Sequence, residues 1–360
     1  MSVHTLLPGI PIIESPLFET IVAEGAIPAE LVPVARALHT HGFAVIDFPD
    51  PDIDARIDRI KADLVPRFAI DLADAGAIKT RGDNRLQDAW TFNHDVATIA
   101  ANAQICAMLS LLWGRRAFPF QTLNFPVGTQ QAPHADAVHF SSMPERFMCG
   151  VWLAMEDIRH EAGPLVYYPG SHRWPCLTNL LIGRAGDFGG EASAQTPFEP
   201  VWQAMVQAQQ IAPETFLARK GQALIWTANL LHGGSPQIDP RLTRWSQVTH
   251  YYFDDCIYYT PAFSHEPVGQ LDLRTITDVT DGTIVANRHL GRAIATPAKA
   301  ARRGIFDRVL GRKPPLADPA LPPDFDEQRY LALHADVAAN AMSAREHYLR
   351  FGRAEGRRYR

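Results

Sequence analysis

Three residues in this chain are of the types that hold a metal ion ready for chemistry. They are His134 and Asp136, separated by Ala135, and His232, which opens the run His-Gly-Gly at 232–234. On a β-strand, residues i and i+2 point to the same face. His134 and Asp136 can therefore offer an imidazole nitrogen and a carboxylate oxygen to one ion. A histidine from a distant strand completes a facial two-histidine, one-carboxylate set. That set holds Fe(II) and leaves positions open for oxygen and a cosubstrate. An isolated His-x-Asp is a common accident, so its neighbours must carry the reading. His139, His172 and His250 compete for the same role; each reads as a hydrogen-bonded core or supporting histidine.

The elements that must position these residues follow from the apolar pattern. Residues 28–41 read as a helix, with Pro28 in its first turn and Leu31, Val34, Ala35 and Leu38 on one face. Gly42 ends it, and a buried strand follows at 43–46. Residues 52–65 and 95–112 read as two further helices, the second stopped by Gly114. From about 117 the pattern changes to short aromatic or β-branched runs: 118–125, 148–155, 165–168, 223–226 and 246–253. Gly, Pro and Asn punctuate them, as in an antiparallel barrel or jelly roll. The fold class expected is mainly β with α: a double-stranded β-helix, cupin-like, with N-terminal helices packed against it. Residues 178–215 interrupt the strands, with glycines at 183, 186, 189 and 190 and a short helix near 201–210. A long insertion in a barrel is a lid, a substrate loop or a plain surface excursion.

Composition bounds the rest. The chain has 360 residues, 46% hydrophobic and 20% charged, which suits one large domain, or one with a small appendage. A net charge of −5 and a pI of 6.3 argue against a general nucleic-acid or membrane-surface binder. The cysteines at 106, 149, 176 and 256 lack CxxC spacing, which disfavours a thiolate zinc site and fits a reducing cytosol. The N-terminus lacks the features of a leader, and no membrane span is expected. The expectation is a cytoplasmic protein. Domain 1–295 is followed by a Pro- and Ala-rich linker at 296–323 and a small helical module at 324–360. That module is too short to be robust alone and is expected to dock on the main domain or on a partner.

The run Gly-Pro-Leu-Val-Tyr-Tyr-Pro-Gly-Ser-His at 163–172 joins the His-x-Asp upstream and the His-Gly-Gly downstream. Gly-Thr-Gln-Gln at 128–131 and Val-Trp-Leu-Ala-Met-Glu-Asp at 151–157 flank the first motif. Together they resemble the phytanoyl-CoA dioxygenase family of Fe(II)/2-oxoglutarate-dependent oxygenases, over roughly residues 40–255. The resemblance implies His134, Asp136 and His232 as metal ligands and 2-oxoglutarate as cosubstrate. The far carboxylate of that cosubstrate needs a cation in a closed pocket, and a guanidinium can bind it through two parallel hydrogen bonds. Arg244, twelve residues after His232, matches the family's arginine, and Ser246 shares its strand face. Arg241 competes, but Asp239-Pro240 beside it suggests a turn. Trp152 matches a tryptophan that lines the cosubstrate pocket. On the strand before the metal motif, Gln121, Thr122 and Asn124 are candidates for a polar contact, with Thr122 and Asn124 on one face. Gly163-Pro164 and Pro169–His172 read as turns. Halogenases of the superfamily lack the carboxylate, so Asp136 points to hydroxylation. Gln222 departs from the aspartate found in relatives.

The C-terminal stretch, with Tyr-Leu-Ala-Leu-His-Ala-Asp at 330–336 and His-Tyr-Leu-Arg-Phe-Gly at 347–352, resembles a module appended to bacterial glycosyltransferases. It hints at a bacterial source and a saccharide-linked substrate. The expected reaction is hydroxylation of a small-molecule, saccharide-linked or acyl substrate with release of succinate and CO2. The rivals are a cupin-type isomerase or dioxygenase without 2-oxoglutarate, and a silent ligand-binding barrel. Arg244 argues against the first, and the intact ligand set against the second. Arg81, Arg85 and His94 could bind an anionic group or serve only as solvated surface charge.

Overall fold

The computed structural model describes residues 3–68, 70–72, 74–79, 85–186, 194–294, 325–334 and 344–348. The chain divides into two compact units, Met1–Thr296 and Pro297–Arg360. The expected linker at 296–323 and Arg81 lie outside the described residues.

The first ten strands of the first unit are β1 (Phe43–Asp47), β2 (Leu86–Gln87), β3 (Ala117–Phe125), β4 (Ser141–Met143), β5 (Met148–Ala154), β6 (Leu165–Tyr167), β7 (Glu214–Phe216), β8 (Gln222–Thr227), β9 (His232–Gly234) and β10 (Ser246–Phe253). Six of them make one antiparallel sheet in the order β1-β8-β5-β10-β3-β2, and β7-β6-β9 make a smaller one. Leu165, Tyr167 and Phe216 of the small sheet pack with Trp152, Leu224, Trp226 and Val248 of the large one. The arrangement is a mix of helix and antiparallel sheet, and the described strands do not close into the expected barrel.

Helices cover the other face of the large sheet. They are α1 (Phe18–Ala23), α2 (Val32–His41), α3 (Ile53–Leu64), α4 (His94–Ala100) and α5 (Ala103–Trp113). Ile57, Ile60, Leu64, Ile99, Ile105 and Leu109 from this layer join Val151, Leu153, Ala223 and Ile225 in one core. Side chains alternate across a strand, so Val151, Leu153, Ala223 and Ile225 meet the helices and Trp152, Ala154, Leu224 and Trp226 meet the small sheet. Both faces are buried, which is why these strands read as continuous apolar runs.

The single helix expected over 95–112 is two. Asn102 accepts from the backbone N–H groups of Gln104 and Ile105 and so starts α5 afresh. By length and composition 94–113 could cross a membrane. The asparagine cap interrupts it, and Val96, Ile99, Ile105, Leu109 and Leu112 are spent in the core. The insertion at 178–215 is not a loose excursion in its described part. It carries α6 (Glu199–Gln209), whose Trp202 packs with Phe198 against Ala135, Val138 and Leu231, the neighbours of the candidate ligands. In the second unit, helices Glu327–Leu333 and Ala344–His347 bury Tyr330, Ala344 and Tyr348 together.

Candidate metal centre

The ligand atoms of His134, Asp136 and His232 lie within 4.8 Å of one another, and all three side chains are buried. The strand expected under His134 and Asp136 is only a bridge. His134 N–H donates to His232 O (2.8 Å) and His232 N–H to His134 O (2.9 Å). Past Ala135 the chain turns into a short 3-10 helix, Asp136–Val138. Ala135 itself is extended (φ −109°, ψ 134°), so the i, i+2 geometry survives for this one step. The His-Gly-Gly run has a steric cause. A Cβ on Gly233 would sit 2.7 Å from the Gln131 carbonyl oxygen, and one on Gly234 2.7 Å from the Gln130 nitrogen. Only glycine lets the segment before His134 approach this closely.

Both imidazoles are aimed. His134 Nδ1 donates to Ala132 O (2.9 Å) and His232 Nδ1 to Leu230 O (3.0 Å). A carbonyl can only accept, so each Nε2 presents its lone pair inward. Those Nε2 atoms lie 3.8 Å from Asp136 Oδ1 and 3.9 Å from Asp136 Oδ2 respectively. Burial, joined by His232, pushes His134 down to about 3, so its imidazole is neutral at ordinary pH. Burial acts to raise Asp136, but His232, His250 and His134 outweigh it and hold the carboxyl well below the usual range. A pre-aimed imidazole pair beside an ionised carboxylate is the donor set that a divalent iron ion fits.

These residues line a cavity of about 270 Å³ together with Arg244, Trp152, Gln121, Gln131, His139, Gln195, Trp226 and His250. Arg244 is 2% exposed. Its guanidinium lies 5.5 Å from the centre of the Trp152 ring, and its Nε has no hydrogen-bond partner. Burial, partly countered by Glu156, pulls it down to about 10. It sits just before β10 rather than on it, with its N–H donating to Pro126 O (2.9 Å). Ser246 begins the strand on the parity of Val248 and His250, and its Oγ is likewise buried without a partner. Two orphaned buried donors suit a carboxylate ligand. Arg241 is in the expected turn, exposed and paired with Asp239 (2.8 Å).

The odd residues of β3, Gln121, Leu123 and Phe125, face the cavity. Thr122 and Asn124, on the other face, do not line it. Asn124 Nδ2 donates to Gln247 Oε1 (3.3 Å), and Gln247 Nε2 to Val96 O of the helical layer (3.1 Å). Among the competing histidines, His139 lines the cavity and contacts Gln195 (3.4 Å). His172 is buried beside His39 O (3.2 Å). His250 bonds Gln121 Oε1 through Nδ1 (3.0 Å), and its Nε2 is 3.6 Å from Asp136 Oδ2. Arg85 lines the cavity, whereas His94 starts α4 on the surface. Gln222 closes a turn, its Oε1 accepting from Arg219 N–H (3.0 Å). Sequence reasoning missed Trp226, whose indole N–H donates to Asp136 Oδ2 at 2.8 Å. No spacing marks that contact, since the partners are 90 residues apart.

The phytanoyl-CoA dioxygenase (PhyH) family model matches residues 40–241, more than half of the chain. A Danio rerio phytanoyl-CoA dioxygenase domain-containing protein 1 is 24% identical over 135 residues, 34% of this chain and 46% of that protein. The chain thus spans under half the length of that relative. Two solved structures show distant likeness. The epimerase SnoN in complex with Fe3+, alpha ketoglutarate and nogalamycin RO has a TM-score of 0.49 at 20% identity, covering 72% of this chain and 99% of its own. EctD from S. alaskensis with 2-oxoglutarate and 5-hydroxyectoine has 0.48 at 18%, covering 66% and 80%. On the extent of the family match, the chain belongs to the phytanoyl-CoA dioxygenase family, a family of Fe(II)/2-oxoglutarate-dependent oxygenases.

Proposed function

We propose that this chain oxidises a small polar molecule, with His134, Asp136 and His232 holding Fe(II) and Arg244 anchoring 2-oxoglutarate. One observation carries the reading: the aimed ligand set and a buried guanidinium whose Nε lacks a partner share one cavity. Bound iron would let O2 act as the four-electron oxidant, two electrons coming from 2-oxoglutarate as it goes to succinate and CO2 and two from a substrate C–H bond. The chain's own residues do the rest. The carbonyls of Ala132 and Leu230 hold the imidazoles in one tautomer. Arg244 and Ser246 take the far carboxylate, and the Trp152 ring stacks beside the guanidinium. The segment 194–209 roofs the centre through Gln195 and Trp202 and excludes water.

Gln87, Gln121, Gln131 and Gln195 line the cavity. Their amides both donate and accept, which suits a hydroxyl-rich, saccharide-linked substrate. The C-terminal module would recruit that substrate's carrier or a partner. Asp136 fills the carboxylate position, so hydroxylation is favoured over halide transfer. The test is an anaerobic titration of Fe(II), then 2-oxoglutarate, followed by a metabolite screen for stimulated succinate. Stoichiometric metal binding that His232→Ala abolishes supports the reading. Metal binding indifferent to all three ligands, or succinate formation indifferent to Arg244, would refute it.

A further inference from the structure

We propose that Trp226 is a positioning residue for the metal centre: its indole N–H ties back one oxygen of Asp136, so that the carboxylate offers the ion the other oxygen alone. This deepens the reading above and rests on it. Asp136 is buried with its two oxygens in unlike settings. Oδ2 accepts the Trp226 N–H at 2.8 Å and lies 3.9 Å from His232 Nε2, whereas Oδ1 lies 3.8 Å from His134 Nε2. His250 Nε2 also faces Oδ2 but stands off at 3.6 Å, beyond hydrogen-bond range. Trp226 thus supplies an N–H within hydrogen-bond distance of Oδ2. A carboxylate free on both oxygens could close on the ion as a bidentate ligand and occupy a coordination position that cosubstrate or oxygen needs.

The sheet is built around this indole. Trp226 on β8 lies opposite Gly150 on β5, and a Cβ on Gly150 would overlap the six-membered part of the ring. The missing side chain makes the recess in which the indole lies flat enough to reach across to Asp136. Trp226 is 2% exposed, and its ring also packs, tilted by 42°, against the ligand His232 at 4.8 Å between centroids. Glycine at 150 and tryptophan at 226 thus act as a pair, distant in sequence and joined by strand register. A smaller aromatic side chain without an N–H, such as phenylalanine, would keep an apolar ring on this strand position and leave Oδ2 without the indole donor.

The test is metal affinity in the absence of turnover. Mn(II) and Co(II) are titrated calorimetrically into the full-length metal-free protein, and the Co(II) visible absorption is recorded for the coordination number. Trp226→Phe is expected to weaken both metals roughly 10- to 100-fold, the usual effect of losing a partner of a metal-bound side chain. The Co(II) bands should shift toward higher coordination as the freed oxygen joins the ion. Gly150→Ala should reproduce the loss by displacing the indole. Because that variant could simply misfold, Gly150→Ala combined with Trp226→Leu restores room without restoring the N–H, and its affinity should stay low. Unchanged affinity and spectrum in a folded Trp226→Phe protein would overturn the proposal while leaving the oxygenase reading intact. Failure of the unaltered protein to bind either metal would instead overturn the oxygenase reading.

Discussion

Arg244→Ala removes a guanidinium that is 2% exposed and whose Nε has no partner. Burial, partly countered by Glu156, pulls it down to about 10, and a carboxylate in the cavity would satisfy it. Separating one member of a buried charge pair costs about 3–5 kcal/mol. At about 1.4 kcal/mol per tenfold, the lower end amounts to two powers of ten. 2-Oxoglutarate affinity, measured by anaerobic calorimetry on the Mn(II)-loaded protein, should fall by at least about a hundredfold. Mn(II) affinity itself should hold, because the arginine is not among the clustered ligand atoms. Arg244→Lys should recover part of the loss, since an ammonium cannot make the paired hydrogen bonds. Arg241→Ala is the control. That residue is exposed and bound to Asp239 at 2.8 Å, a surface pair worth about 0–1 kcal/mol. A damaging Arg241→Ala beside a mild Arg244→Ala would refute the assignment, and indifference to both would mean that 2-oxoglutarate is not the cosubstrate.

The two faces of β3 should separate in mutagenesis. Asn124→Ala strands the buried Gln247 and should cost about 1–3 kcal/mol in urea melts, with cosubstrate affinity kept; Gln121→Ala should do the reverse, and equal effects would contradict the register. Stability of the metal-free protein should depend on pH. His134 and His172 are lowered by burial to about 3 and 4, against 6.5 when unfolded, so the unfolded chain binds more protons in between. Stability should therefore decline as pH falls below about 6.5, and a denaturation midpoint flat from pH 7 to 4.5 would refute this. Truncation after Thr296 should leave a folded, metal-binding unit, as the contact division suggests; loss of cooperative melting would show otherwise. Saturating chloride should yield no chlorinated product, because Asp136 fills the position a halide would need, and mass spectrometry decides.

Much of the site was legible because ligand chemistry belongs to residue type. His134, Asp136 and His232 are named by what imidazole and carboxylate can do, and Arg244 by what a guanidinium can do. The helices over 32–41 and 53–64 and the strand 246–253 were legible because their signals are local. What the sequence could not supply is which face of a strand meets the cavity. Alternation reveals a face only when one side is wet, and here helices cover one side of the large sheet and a second sheet the other. Hence Thr122 and Asn124 were as plausible as Gln121 until packing placed them against the helices. The regular strand expected at 134–136 also depended on partners: a bridge to His232 holds one residue in register, and then the chain turns. The contact between Trp226 and Asp136 is the clearest case. Residue types specify an indole donor and a carboxylate acceptor, but they are 90 residues apart, and only the register of β5 against β8, with Gly150 beneath the ring, brings them within 2.8 Å.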